Sequence, residues 1–152
     1  MLRFENFITL CMLVFLTLLN ALIFMILSFI HVYWAFGGQW GKELSVPTVS
    51  SGEKLFVPGV RATLTVAVGL LIFAVINLSI QIWPDSGINP LYIKYGILVI
   101  GLIFLLRTIG DFNYVGLMKK HKTSGFAKND TQFYIPLCLG IFISHALIFA
   151  LF

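Results

Sequence analysis

A histidine and a group of aromatic residues lie where the first apolar run of this sequence ends. The segment is His31-Val-Tyr-Trp-Ala-Phe-Gly-Gly-Gln-Trp-Gly41, in which Trp34 and Trp40 follow the imidazole closely. A neutral imidazole can accept or deliver a proton near pH 7, so His31 is a candidate acid or base. Trp and Tyr rings also gather at membrane interfaces because they combine an apolar body with a hydrated group, and this aromatic belt is the simpler explanation.

Polar residues in the second half of the chain are further candidates. Arg107 and Asp111 are four residues apart at the end of a predicted helix, so they would share a face and can pair. In the mouth of a bundle, the two charges could instead hold an anionic headgroup or position His31, because guanidinium binds carboxylate and phosphate through paired hydrogen bonds. Asp130 precedes the last apolar run, where we expect it to cap the helix, and Tyr134 would line the same mouth.

Another group of polar residues is predicted to lie inside the membrane. His145 is twelve residues into the last apolar run, which places it ~18 Å along a helix and close to mid-membrane. Asn20 should lie at a comparable depth and Asn77 somewhat nearer the outer side, so a hydrogen bond between helices is the simplest role for them. An ionisable intramembrane residue can also serve transport. Cys11 and Cys138 both lie in apolar runs and fit neither a metal site nor a redox pair.

Four long apolar segments must position these residues. The chain has 152 residues, of which 59% are hydrophobic and only 11% charged, whereas roughly a quarter are charged in soluble domains. About 20 helical residues cross a ~30 Å hydrocarbon core. We therefore predict an all-α, single-domain polytopic membrane protein, with four transmembrane helices in an antiparallel bundle and two longer loops on one side. The helices are expected at about residues 7–36, 60–83, 91–109 and 133–152, the second stopped by Pro84.

The basic residues predict how the bundle is oriented. With four spans, only Arg3 and Lys94 lie on the side of the termini, and the other eight of the ten Lys and Arg residues lie in or beside the loops at 37–59 and 110–132. The positive-inside rule then places both long loops in the cytoplasm and both termini outside, in a multi-pass protein of the cell (inner or plasma) membrane. The cations form no motif that reads nucleic acid, so no nucleic-acid partner is expected.

Two blocks of this sequence resemble a known family. The first block is His31 to Gly41 together with Val46-Pro47-Thr48, and the second comprises Arg107-Thr-Ile-Gly-Asp-Phe112 and Phe126-Ala-Lys-Asn-Asp130, continuing into Tyr134-Ile-Pro-Leu-Cys138. On these residues the chain resembles the domain of unknown function 3995 family of small bacterial integral membrane proteins. The resemblance covers nearly the whole chain and implies a four-helix membrane protein. It implies no particular reaction.

Three classes of function are compatible with these residues. The leading hypothesis is that the protein binds a lipid or an apolar small molecule, or supports a membrane partner, at the cytoplasmic mouth of the bundle. The second is a membrane-embedded enzyme for proton transfer or isomerisation of a lipid-soluble substrate, with His31 as acid or base and Asp111 or Asp130 orienting it. The third is a small transporter that uses Asn20, Asn77 and His145.

The partners expected are the lipid bilayer and the apolar ligand, with a homo-oligomer also compatible, and neither a cofactor nor a metal is expected. The ligand-binding candidates are His31, Trp34, Trp40, Arg107, Asp111, Asp130 and Tyr134.

Overall fold

The structure is a computed structural model that describes residues 2–48 and 53–152, with side chains except those of residues 2–6 and 83–86. The expected outward position of Arg3 therefore concerns a side chain outside the described residues. The described residues form the helices α1 (Leu2–Ala35), α2 (Val60–Ser86), α3 (Pro90–Ile109), α4 (Gly125–Asn129) and α5 (Ile135–Leu151), with a π-helical turn, Asp130–Tyr134, joining the last two. No β-strand occurs in this part of the chain, so the predicted all-α fold class is confirmed.

Four of the described helical stretches are long and apolar enough to cross a membrane. They are Phe7–Ala35, Val60–Ile82, Pro90–Ile109 and Gly125–Leu151, and each reaches the ~20 residues that a bilayer core requires. Large apolar side chains such as Phe15, Phe29, Val75 and Leu106 are exposed on the outside of the bundle. This outer surface suits lipid and not water, so the protein is a multi-pass membrane protein.

The first two helices run in opposite directions and pack closely. The Ser28 hydroxyl near the end of α1 donates a hydrogen bond to the Ala67 carbonyl near the start of α2, at 2.8 Å. Eleven residues earlier on α1, Thr17 is hydrogen-bonded to Gln81, close to the end of α2. These two contacts hold the pair together along most of its length.

The third and fifth helices approach each other at a glycine. A Cβ atom added to Gly101 on α3 would lie 3.1 Å from the Cβ of His145 on α5, so the missing side chain allows the two backbones to come close. Ile100 and Ile141 contribute to the same core and are almost fully buried. This packing fixes α5 against α3, and α5 is the helix that continues from the π-helical turn.

Three helix boundaries differ from the expectations, and the first of them is the start of α1 at Leu2 and not near residue 7. The second helix continues past Pro84 to Ser86 and ends at Gly87, whose φ of 68° gives the left-handed geometry that stops a helix. The last helical stretch begins at Gly125 and not near residue 133, because Ser124 caps it by accepting a hydrogen bond from the Ala127 amide. Residue 130 is consequently inside a continuous helical stretch and not at its start.

Candidate functional site

A cavity opens between the helices at the end of the bundle that carries the two long loops. Its volume is about 450 Å³, which lies in the range of pockets that hold small molecules. We call it the loop-end cavity. Its described lining comprises Leu27, His31, Trp34, Ser45, Val66, Gly69, Leu70, Phe73, Ile103, Phe104, Arg107, Tyr134, Leu137 and Cys138. A neighbouring cavity of about 250 Å³ shares His31, Trp34, Ser45 and Val66 with it and adds Lys42.

The His31 ring is held in one orientation by the helix that carries it. Its Nδ1 lies 2.7 Å from the Leu27 carbonyl, one turn earlier on α1. A carbonyl can only accept, so Nδ1 carries the hydrogen and a neutral ring would leave Nε2 as an acceptor. Within the described residues nothing hydrogen-bonds Nε2. The carboxylates of Asp111 and Asp130 hydrogen-bond other groups and not the ring, so the expectation that a carboxylate orients His31 is wrong, and a backbone carbonyl does so instead.

Tyr134 and Trp34 attach the first long loop to the helices beside the cavity. The Trp34 indole lies 5.0 Å from the His31 ring, centroid to centroid, and its N–H donates to the Trp40 carbonyl at 2.8 Å. The Tyr134 hydroxyl donates to the Leu44 carbonyl at 3.3 Å. Trp40 thus contributes its backbone, while its indole is 74% exposed and lies outside the lining of the loop-end cavity.

A buried ion cluster supports the cavity wall at Arg107. Asp130 is 0% exposed, and its two carboxylate oxygens accept from Arg107 Nη2 at 2.8 Å and from Lys119 Nζ at 2.9 Å. The Gly116 amide donates to the same carboxylate at 2.9 Å, and Lys119 also donates to the Thr131 hydroxyl at 2.7 Å. Two cations and one carboxylate leave this cluster with one net positive charge. The other terminal nitrogen of Arg107, Nη1, is buried without a hydrogen-bond partner in the described structure.

The expected pair of Arg107 with Asp111 is not formed. Helix α3 ends at Ile109, and Gly110, with a φ of 90°, turns the chain away before Asp111 could share a face with the arginine. Asp111 instead accepts hydrogen bonds from the amides of the next loop residues, at distances of 2.7 to 2.9 Å. Partial burial raises the pKa of this carboxyl, but the amide donors outweigh it and hold the pKa below its ordinary value.

The expected helix-capping role of Asp130 is also wrong. Because the helix already begins at Gly125, the Asp130 side chain has no free first-turn amides of that helix to accept. Its carboxylate turns toward Arg107 and Lys119 instead.

Two glycines make the loop that carries Lys119 compact. Gly110 and Gly116 both have positive φ, and a Cβ on Gly116 would lie 2.5 Å from the Gly110 Cα. No side chain fits between them. The contact brings residues 116–119 back against the end of α3, where the Leu117 amide donates to the Thr108 carbonyl at 2.8 Å. Lys119, which is 4% exposed, reaches Asp130 for this reason.

The intramembrane polar residues form a separate buried group. The Asn77 amide nitrogen lies 3.2 Å from His145 Nε2, and His145 Nδ1 lies 2.8 Å from the Ile141 carbonyl, so the ring is the Nδ1–H tautomer accepting from asparagine. Asn20 accepts from the Ser144 hydroxyl at 2.9 Å. These residues do not line the loop-end cavity.

Aromatic rings lie between that group and the cavity. Phe73 and Phe104 line the cavity, and the ring of Phe24 packs on both of them, with centroids 5.7 and 5.5 Å apart. Phe24 is 0% exposed and its ring also packs on His145, at 5.7 Å. The cavity is therefore closed toward mid-membrane by packed rings.

Among the described residues, no three His, Cys, Asp or Glu side chains come close enough to hold a metal ion.

Comparison with known proteins identifies the family. The family model described as "Protein of unknown function (DUF3995)" matches residues 24–144, well over half of the chain. The chain belongs to the DUF3995 family. The resemblance noted from its two sequence blocks is thereby confirmed. No curated protein and no solved structure matches the chain. All the described residues that line the loop-end cavity of this DUF3995 protein lie within the matched range.

The sequence of this DUF3995 protein did not single out every residue of the site. Lys119 is one of several lysines in a polar loop, and nothing in the local pattern distinguishes it from its exposed neighbour Lys120. The spacing of Gly110 and Gly116 was the available signal, since two glycines around a short segment predict a tight turn. Gly69 likewise gave no sign that it faces a cavity.

Proposed function

We propose that this DUF3995 protein binds a lipid or another apolar small molecule of the membrane in the loop-end cavity. The observation that carries the proposal is the composition of the cavity wall. Most of its described lining is aliphatic or aromatic, while His31 Nε2 and Arg107 Nη1 have no hydrogen-bond partner among the described residues. Apolar walls with a few convergent polar groups are the usual form of a small-molecule site. The positive-inside argument supports a cytoplasmic position for this end.

A cavity-filling variant tests the proposal. Gly69 lines the cavity and a Cβ there would meet nothing within 4 Å, so Gly69→Leu should place a side chain in the empty space. Gly140 on α5 is the matched control, because its Cβ would also meet nothing and it lies outside the described cavity lining. Both changes replace a helical glycine with a better helix former, so the intrinsic effect on helix stability is similar.

The assay is mass spectrometry of small molecules that remain bound after purification in detergent. We expect a bound apolar species in the natural protein and in Gly140→Leu, and its loss from Gly69→Leu. Equal retention by the two variants would contradict binding in the loop-end cavity. Absence of any bound species, together with no binding of added lipid, would contradict the proposed function itself.

The fixed orientation of His31 favours a second candidate function, proton transfer on a lipid-soluble substrate. The Leu27 carbonyl holds Nδ1–H, so a neutral ring would offer Nε2 as a base at the cavity. Incubation of the protein and its co-purified ligand in deuterated buffer should then exchange a ligand C–H hydrogen, and His31→Ala should abolish the exchange. Retention of all ligand hydrogens would contradict proton transfer and leave ligand binding as the supported function. Transport has less support, because Phe24, Phe73 and Phe104 pack between the cavity and the His145 group.

A further inference from the structure

The charged side chains in the described lining of the loop-end cavity and of its neighbour are all cationic. Arg107 lines the loop-end cavity and Lys42 lines the adjoining cavity, whereas no Asp or Glu belongs to the described lining of either. The one carboxylate behind the wall, Asp130, is shared between Arg107 and Lys119 and so leaves one positive charge unbalanced. A charge at the edge of a low-dielectric region is stabilised by a counter-ion, and the described residues around the cavity supply no second carboxylate.

The guanidinium of Arg107 has hydrogen-bonding capacity left over. Its Nη2 is engaged by Asp130 at 2.8 Å, while Nη1 is buried and has no partner in the described structure. The Arg107 side chain lines the cavity and is 33% exposed, so a small turn of the guanidinium toward an acceptor in the cavity would give this unpaired nitrogen a charge-assisted hydrogen bond. Carboxylate and phosphate oxygens match the guanidinium best.

Polar groups occupy one end of the cavity on three of its walls. On α1, His31 lies one turn closer to the loops than Leu27, and on α3, Arg107 lies about one turn closer to the loops than Phe104. On the wall formed by the π-helical turn and α5, Tyr134 lies closer to the loops than Leu137 and Cys138. The wall is thus polar toward the loops and apolar toward mid-membrane. A ligand with a head and a tail would be oriented by this gradient.

We infer that the loop-end cavity takes an amphiphile with a single negatively charged head, a carboxylate or a phosphate, held by Arg107 with its alkyl chain directed toward Phe73 and Phe104. The inference rests on the proposed function and names the class of ligand. A fatty acid and an anionic phospholipid share this chemistry, so both are tested.

Quenching of Trp34 by brominated chains provides the test. In a Trp40→Phe/Trp83→Phe variant, Trp34 is the only one of the three tryptophans left, and it lines the cavity. The protein in nonionic detergent is titrated with dibromostearate, with the alcohol of the same chain and with the corresponding amine. A protein that retains only Trp40, whose indole is 74% exposed and outside the cavity lining, measures quenching by chains merely dissolved in the micelle. Brominated phosphatidylglycerol is titrated in parallel.

We expect the carboxylate to quench Trp34 at a concentration at least tenfold lower than the alcohol, and the amine to be the weakest of the three. Arg107→Gln should reduce the preference for the acid over the alcohol to less than threefold. A lower half-quenching concentration for phosphatidylglycerol than for the fatty acid would support the inference with a phospholipid as the source, and the reverse order would support it with a free acid.

Two results would overturn the inference in different ways. Equal affinity for acid, alcohol and amine, still selective for Trp34 over Trp40, would refute the anionic head while leaving the proposed binding function. No selectivity for Trp34 with any chain would refute both. If Arg107→Gln fails to fold, the order of the three chains in the natural cavity decides the question without it.

Discussion

Replacing Asp130 by asparagine should destabilise the protein strongly. The carboxylate is 0% exposed and neutralises both Arg107 and Lys119. The asparagine side chain would keep the size and one acceptor oxygen but would leave the ammonium of Lys119, 4% exposed, without a counter-charge. Removing one partner of a buried ion pair costs about 3–5 kcal/mol. At roughly 2–4 °C per kcal/mol for a chain of this size, we expect the unfolding temperature to fall by about 6–20 °C.

The assay is thermal unfolding in detergent, with Asp111→Asn as the matched control. Asp111 is exposed and its partners are backbone amides, which can still donate to the side-chain oxygen of an asparagine. Its replacement should therefore lower the free energy of unfolding by less than about 1 kcal/mol. Lys119→Met alone and combined with Asp130→Asn completes a double-mutant cycle, which measures the coupling between the two charges. If Asp130→Asn and Asp111→Asn lower the unfolding temperature equally, the buried cluster does not stabilise the fold and the reasoning is refuted.

The remaining predictions concern the intramembrane histidine, the glycine turn and the orientation. The interhelical bond lost in His145→Ala should lower the free energy of unfolding by about 0.6 kcal/mol and not above ~1.7 kcal/mol, to which a packing loss is added. His31→Ala should destabilise the protein less but reduce the retention of ligand more. If detergent melting gives the opposite order of stability, His31 is a structural anchor. Gly116→Ala should be far more harmful than Gly87→Ala, because both have positive φ but only the first would clash with backbone, at 2.5 Å; similar unfolding temperatures would disprove the tight contact. A single cysteine at Lys120 in a cysteine-free variant should resist an impermeant reagent added to intact cells, and labelling from outside would reverse the proposed topology.

The helices could be predicted from the sequence because each apolar run is long enough to identify a span by itself. Their ends were harder to predict. The start at Gly125 depends on Ser124, which lies six residues before Asp130, the residue that was predicted as the cap. The end of α2 depends on Gly87 adopting a left-handed conformation three residues after Pro84.

The candidate site could be predicted only in part. His31, Arg107 and Tyr134 do line one cavity, because each lies near a helix end on the side of the long loops. The predicted pairing of Arg107 with Asp111 was wrong because spacing rules for charge pairs apply only within one helix. The observed pair joins residues 23 positions apart, and only the folded loop brings them together.

The π-helical turn makes the site tolerant of a one-residue change in chain length at this point. The Ile135 amide bonds to the Asp130 carbonyl five residues back, so this turn holds one residue more than an α-helical turn. Deleting a residue such as Gln132, whose side chain is exposed, would relax the turn into regular α-helix. The Ile135 amide and the Asp130 carbonyl would then form an ordinary α-helical bond, so the segments before and after the deletion would keep nearly the same orientation. Asp130 should therefore still face Arg107 after a deletion in this turn, whereas a one-residue deletion within the regular helix α5 would rotate the residues on its two sides by ~100° relative to each other.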